Sequence, residues 1–351
     1  MSAAAPRARR FFRGGLISAA FAYPLVLIVL ALALYRGAES WWVTTALLYA
    51  PRIVFALPLP LIALGLLLSG LRKLLWSQLV ALLVLLFPLL GLVLPWPASA
   101  TADVPRVRLL SFNANSGFFG APAIVREILA ANPDIVLIQE GQFGGGELSE
   151  ALHARYPYVQ ASTQFTVASR FPIVSATDPE RLPYFGRQRS PRFMRYLIQT
   201  PLGEIACYSV HPISPRGALH IHRFRDVLHQ LRTGAFLTGD PEADVVGNAG
   251  LRALQIEAAA NLAAREQVPV IVAGDTNLPG LSSILRKHLA RYADAFRTAS
   301  WGFGYTFPAN HPFLRLDRIL GGPELHFTSF RVGCPGVSDH LCVVAEIERH
   351  Q

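Results

Sequence analysis

Several apolar runs in the last two-thirds of the chain end in side chains able to handle a phosphate or a cation. LLSFN ends at Asn113, IVLIQE at Glu140, CYSVH at His211, VIVAGDTN at Asp275 and Asn277, and LRLD at Asp317, while Ser338, Asp339 and His340 precede the final apolar run. Singly, each has a structural explanation, since Gly, Asp and Asn are turn residues and a Glu can neutralise an Arg. Together they point to a site, because carboxylates and amides gathered at the edge of a buried sheet are costly to desolvate unless paired or metal-bound. Oxygen donors from Asn113, Glu140 and Asp339 suit Mg²⁺ or Mn²⁺, and no Cys/His cluster of zinc type accompanies them. Phosphoester hydrolysis needs a base for water, positive charge on the phosphoryl oxygens and a donor near the leaving group.

The elements that must carry these residues are short and alternate in type. Strand-like runs occupy 106–113, 134–139, 165–169, 193–199, 205–210, 269–274, 315–320, 325–331 and 341–347, with helical spacing over 122–131, 251–266 and 282–290. DIVLIQ and PVIVAG are apolar on both faces, as central strands covered on both sides must be. The pattern predicts an α/β sandwich, two packed sheets with helices outside. Three cysteines, Cys207, Cys334 and Cys342, are too few for a disulfide framework and read as buried small hydrophobes, a Cys334 to Cys342 bridge being the alternative.

In this order, SFN, IQE, the strand-ending His, GDTN, LDRIL and SDH resemble the endonuclease/exonuclease/phosphatase superfamily over 106–347. GYTFPANHPFLRLDRIL resembles in particular a membrane-anchored bacterial branch of it. The resemblance implies a deoxyribonuclease-like fold, a four-layer α/β sandwich of two mixed sheets flanked by helices. It implies Glu140 as main metal ligand, with Asn113 and Asp339 completing the metal and phosphate site. It also implies that Asp275 orients or deprotonates water, Asn277 holds a phosphoryl oxygen, Asp317 pairs with His340, and His211 lies near the scissile phosphate; whether Asp275 or His340 is the base stays open. Two departures stand out. Gln142 occupies a position where nuclease members often place an Arg, and 193–199 lacks the Glu that supports the second histidine in deoxyribonucleases, which leaves His211 without its usual partner.

Ahead of this domain the composition changes. The chain has 351 residues, 52% hydrophobic and 16% charged, and residues 1–100 hold 8 of the 32 Lys+Arg and one of the 23 Asp+Glu. The net charge of +9 thus divides into +7 there and +2 over 101–351, so the basicity is no nucleic-acid footprint of the globular part. Runs at about 15–35, 53–71 and 74–95 are apolar enough to span a bilayer as helices. Trp41, Trp42, Trp76 and Trp96 lie at or near their ends. Arg7, Arg9, Arg10 and Arg13, with Arg72 and Lys73, mark the cytoplasmic side, so residue 96 onward falls outside, and a cleaved first segment would not change this. The expected organisation is a membrane region over 1–97, a linker over 98–105 and a catalytic domain over 106–351, in a bacterial inner membrane.

Between His211 and the helix near Leu251, the chain carries extra residues over 216–250. Ile221, Phe224, Val227, Leu228 and Leu231 fall on one face of a candidate helix, with His222, Arg223, Arg225 and His229 off it. It reads as a docked helix with a solvated basic side; contact with substrate or lipid headgroups, or a zinc site from His220, His222 and His229, are the sharper readings. The leading functional expectation is a Mg²⁺-dependent phosphodiesterase or phosphatase acting on a phosphoester, with a membrane lipid favoured by the tether. The alternatives are an extracytoplasmic endonuclease or exonuclease acting on nucleic acid, and a non-catalytic sensor of a phosphorylated ligand.

Overall fold

Each expected strand is present in the computed structural model, which describes residues 4–94, 104–141, 146–179, 181–183, 189–216 and 241–349, leaving aside the side chains of 4–9 and 241–244. The first sheet contains β1 (Val107–Asn113), β2 (Ile135–Gln139), β3 (Tyr158–Ser162), β4 (Phe165–Ser169), β13 (Leu325–Gly333) and β14 (Cys342–Arg349), in the order β13-β14-β1-β2-β4-β3. The second contains β5 (Ile173–Thr177), β8 (Phe193–Thr200), β9 (Gly203–Val210), β10 (Val270–Asp275), β11 (Ala293–Asp294) and β12 (Asp317–Gly321), in the order β11-β12-β10-β9-β8-β5. A small hairpin of β6 (Leu182–Pro183) and β7 (Arg189–Ser190) stands beside them. The candidate helix over 221–231, Gln142, Trp96 and linker residues 98–103 lie outside the described residues.

Strand periodicity divides the core into layers. Along β2, Ile135 and Leu137 join Val107, Leu109, Ile271 and Ala273 between the two sheets. Val136 and Ile138 turn the other way with Leu110 and Phe112, onto Ile124 and Ile128 of α5 (Ala121–Ala130) and Leu148 and Leu152 of α6 (Glu147–His153). On the second sheet, Val270 and Val272 pack with Ile256, Ala259 and Ala263 of α7 (Pro241–Ala263) and Ile284 of α8 (Ser283–Leu289). The result is the four-layer sandwich.

Register brings the strand ends together. Parallel β1 and β2 pair Asn113 with Gln139, placing Asn113 beside Glu140; parallel β9 and β10 pair Val210 with Gly274, placing His211 beside Asp275. Antiparallel β12 begins where β10 ends, with Asp275 opposite Asp317, and β14 begins at the same edge of its sheet, with Ser111 opposite Val343. Beneath this edge Gln139, fully buried, donates to Ser209 Oγ at 2.9 Å and links the two sheets. Cys334 and Cys342 are joined as a disulfide with a Cα separation of 5.4 Å, correcting the reading of both as free thiols; the bridge closes the loop carrying Ser338, Asp339 and His340. Cys207 is free and buried in the inter-sheet core.

The N-terminal region departs from three straight spans. Among the described residues, two unbroken stretches are long and apolar enough to cross a membrane, Arg10–Gly37 within α1 (Ala4–Gly37) and Arg72–Leu89, which includes α4 (Leu75–Val84). The expected middle span is a 3-10 turn, Arg52–Ala56, followed by α3 (Pro58–Leu68), which alone rises about 16 Å. It follows α2 (Trp42–Tyr49) across a bend of 89°, and the two together are long and apolar enough to form a third, broken span or a re-entrant loop. The break falls at Pro51, which has no N–H to continue α2.

This helical region packs on the sandwich rather than hanging from it. Leu27, Leu34, Leu48, Leu85 and Leu89 share one cluster with Leu314 and Leu316. Glu39 accepts hydrogen bonds from the Ser283 N–H and hydroxyl at 2.8 and 2.5 Å, Tyr305 donates to the Leu90 carbonyl at 2.7 Å, and Val93 bridges Gly302.

The glycine of GDTN is required by sheet packing. Gly274 has φ of 147°, and a Cβ there would sit 2.0 Å from the Val210 carbonyl oxygen on β9. Gly274→Ala is expected to cost about 3 kcal/mol by overpacking and to lower the thermal midpoint of the detergent-purified chain by roughly 6 °C or more. An unchanged midpoint would mean that β9 and β10 part freely here.

Candidate active site

Asn113, Glu140, His211, Asp275, Asn277, Asp339 and His340 line one cavity of about 520 Å³ at the converging strand ends, and Asp317 stands behind His340. Asp275 is the most enclosed member, 1% exposed. Its Oδ1 accepts the Asn277 N–H at 2.9 Å and its Oδ2 accepts Asn113 Nδ2 at 3.1 Å. Both imidazoles face that second oxygen, His340 Nε2 at 3.6 Å and His211 Nε2 at 3.7 Å. Burial raises the Asp275 pKa, opposed by His340.

The two histidines are held in opposite states. On His340, burial alone would lower the pKa, but Asp317 and Asp275 outweigh it and lift the group to about 10. Asp317 Oδ2 lies 2.9 Å from His340 Nδ1, the pairing that the resemblance implies, and the ring packs on Phe307 at 4.7 Å between centroids. His211 is lowered to about 4 by burial, Asp275 acting against this and Arg192 and His340 adding to it. Its partner is not missing. Gln164, beside the β3 to β4 turn, places Oε1 2.6 Å from His211 Nδ1 in place of the absent Glu. Gln164 Nε2 donates to the Pro191 carbonyl at 3.0 Å, which fixes the amide so that Nδ1 carries the proton and Nε2 faces the cavity.

Glu140 directly follows β2 with φ of 53°, an unfavourable backbone state for a residue with a side chain, of the kind retained where surrounding structure demands it. Its carboxylate is only loosely engaged, by Asn113 Nδ2 at 3.4 Å and Ser116 Oγ at 3.3 Å. Asn113 presents its amide nitrogen to both carboxylates while Oδ1 accepts the Asn115 N–H at 3.0 Å, so here it acts as a donor between Glu140 and Asp275 rather than as an oxygen ligand. Asp339 is paired with Arg216 at 3.0 Å, and the Arg216 guanidinium lies over Phe307. Asn277 Nδ2 gives one hydrogen to the Pro212 carbonyl at 3.1 Å, leaving one for an oxygen in the cavity.

Tyr49 also lines the cavity, from the end of α2, donating to the Asn277 carbonyl at 2.6 Å. Sequence reasoning missed Tyr49, Gln164, Arg216 and Ser116. A chain separation of 228 residues between Tyr49 and Asn277 leaves no spacing signal for that contact.

Residues 110–340 match the Endonuclease/Exonuclease/phosphatase family. The chain belongs to this family. Its fold is similar to that of an endonuclease/exonuclease/phosphatase family protein from Bacteroides thetaiotaomicron, 15% identical over 71% of this chain and 100% of that one, with a TM-score of 0.51. A functionally unknown conserved protein from Enterococcus faecalis V583 is 12% identical over 69% of this chain and 100% of that one, TM-score 0.50. An endonuclease/exonuclease/phosphatase from Beutenbergia cavernae DSM 12333 is 18% identical over 70% and 72%, TM-score 0.49. No curated protein matches the sequence. Family members are generally hydrolases of phosphoesters, commonly with a divalent metal.

The residues present fit such an ion. Glu140, Asp275, Asp317 and Asp339 outnumber the cations His340 and Arg216, and ligating atoms of Asp275, Asp317 and His340 lie within 4.8 Å of one another. Asp317 Oδ1 is buried with no hydrogen-bond partner. The short Asp317 to His340 contact marks those two as a pair, leaving the loosely engaged Glu140 as the carboxylate most open to a cation.

Asp317→Asn is expected to bring the His340 titration, followed by NMR, down from about 10 toward the ordinary imidazole value of about 6.5. A titration unmoved by the substitution would show that Asp317 does not hold the proton on His340.

Proposed function

We propose that the chain is a membrane-anchored, divalent-metal-dependent hydrolase that cleaves a lipid-borne phosphoester outside the cytoplasm by in-line attack of water. The observation that carries this reading is the composition of the cavity. It is lined by Asp275, Glu140 and the two histidines together with Phe307, Phe313, Leu314, Leu316 and Tyr49, the last contributed by the N-terminal helical region. A charged headgroup with an apolar tail matches both kinds of lining. A soluble sugar phosphate matches one.

Glu140, with Asp339 at the rim, would hold Mg²⁺ or Mn²⁺, which when bound supplies Lewis-acid polarisation and neutralises phosphoryl charge. Asn113 keeps Glu140 and Asp275 in place by donating to both. Asp317 and Asp275 favour the protonated form of His340, which then donates at Nε2. Asp275, with its Oδ2 facing the cavity side of both imidazoles, serves in this reading as the proton acceptor that orients and deprotonates water. The remaining hydrogen of Asn277 and the positive His340 face the phosphoryl oxygens. His211, neutral with its proton on Nδ1, offers Nε2 as an acceptor beside the reacting group.

The extracytoplasmic placement is supported by the Lys and Arg of the N-terminal region and by the Cys334 to Cys342 disulfide, since such bonds persist in oxidising compartments. In spheroplasts of an expressing bacterium, added protease should digest residues after 104 without lysis; protection until lysis would reverse the orientation.

The activity is tested on the full chain in vesicles of mixed phospholipids, in Mg²⁺ buffer, against nicking of plasmid DNA. Release of a phosphorylated headgroup or of phosphate is expected, abolished by EDTA and reduced at least ~100-fold by Asp275→Asn. Rapid nicking without lipid turnover would instead establish the nuclease reading.

A further inference from the structure

A second cavity, of about 480 Å³, lies where the helical region meets the sandwich. Its apolar floor is the end of the last membrane-region helix and the segment after it, residues 87–93. Its walls carry four guanidinium groups, Arg52, Arg286, Arg297 and Arg315, and among the described residues a single carboxylate, Asp294. That carboxylate is already shared: Arg315 reaches it at 2.9 Å and Arg318, fully buried behind the wall, at 3.0 Å. Among the described residues Arg52, 5% exposed, donates only to the carbonyls of Leu48 and Leu89, and Arg286 lies on the Tyr35 ring and donates to the carbonyls of Tyr35, Leu281 and Ser282. Arg297 is exposed at the mouth and makes no side-chain hydrogen bond or ion pair among the described residues.

Carbonyl oxygens satisfy guanidinium hydrogens but do not cancel charge, and a buried charge without a counter-ion is expensive. The excess is visible in Arg318, which burial and the neighbouring Arg315 bring down to about 9. A wall of guanidinium groups over an apolar floor, at the end of membrane-region helices, has the chemistry of a phosphate site whose ligand keeps its tail in the bilayer.

We infer that this cavity is a second, non-catalytic site that holds the phosphate of an anionic membrane lipid between the helical region and the catalytic sandwich. The lipid completes the interface: its phosphate meets Arg286, Arg297 and Arg315, and its chains run along Phe87 and Leu92. The site takes no part in hydrolysis and stands whether or not the substrate of the first cavity is a lipid.

The test is native mass spectrometry of the full chain in neutral detergent, offered phosphatidylglycerol or phosphatidylcholine of identical acyl chains. One phosphatidylglycerol should be retained about tenfold over phosphatidylcholine. Arg286→Ala with Arg297→Ala should remove most of that preference. Arg297→Gln alone, at an exposed position that does not threaten folding, should weaken it severalfold. Thermal stability provides the second arm, in which phosphatidylglycerol should raise the midpoint of delipidated protein and millimolar inorganic phosphate should not. Equal retention of the two lipids, retention unchanged by the Arg297 variants, as binding in the catalytic cavity would give, or equal stabilisation by inorganic phosphate would each overturn the inference.

Discussion

Asp275 is a carboxylate removed from water, and removing such a charge costs several kcal/mol unless charge and hydrogen bonds replace what the solvent supplied. No single strand can furnish these replacements. The Asn277 N–H comes from the turn after β10, the Asn113 amide from the other sheet, and the His340 imidazole from the loop before β14. Meeting the requirement fixes the relative position of both sheets at this edge. Parallel β1 beside β2, parallel β9 beside β10, and the Gln139 to Ser209 link beneath them are the means by which the fold meets it. A cavity able to hold a cation and a phosphate is then the space left between the partners.

The polarity of the two histidines follows from the same arrangement. Both rings face one oxygen of Asp275, yet only His340 has a second carboxylate at its back. Gln164 gives His211 a hydrogen bond of equal directionality and no charge. Exchange of a carboxylate for an amide behind an imidazole thus separates a charged ring from a neutral one within a single site. The carboxylate is on the strand that pairs with β10 and the amide on a hairpin of the opposite sheet, so the asymmetry belongs to the architecture and not to local sequence.

Much of this was legible before any coordinates. Apolar runs that end in Asn113, Glu140, His211, Asp275 and Asp317 reveal strands with their polar ends at one edge, because strand pairing converts similar endings into a common rim. What stayed hidden depends on contacts across the fold. Gln164 is an ordinary turn-flanking residue until the second sheet brings His211 to it, and Tyr49 belongs to a stretch whose composition says only that it is apolar. The cysteines were misjudged because pairing depends on Cα separation, which spacing along a chain does not report. The middle apolar run had the length of a span, but length carries no information on the bend at Pro51.

The segment from Leu314 to Asp317 shows how the two halves of the molecule are joined. Successive side chains in an extended segment point to opposite sides. Leu314 and Leu316 line the catalytic cavity and pack in the cluster that contains the helices' leucines, while Arg315 turns into the second cavity toward Asp294. Asp317 then begins β12 and reaches His340. A single short run of chain therefore separates the two cavities and carries the carboxylate that sets the charge of His340. Displacing the helices from the sandwich would expose Leu314 and Leu316 to water and loosen the segment that ends at Asp317. The helical region thus forms part of the wall of the candidate active-site cavity and part of its support, beyond any service as an anchor.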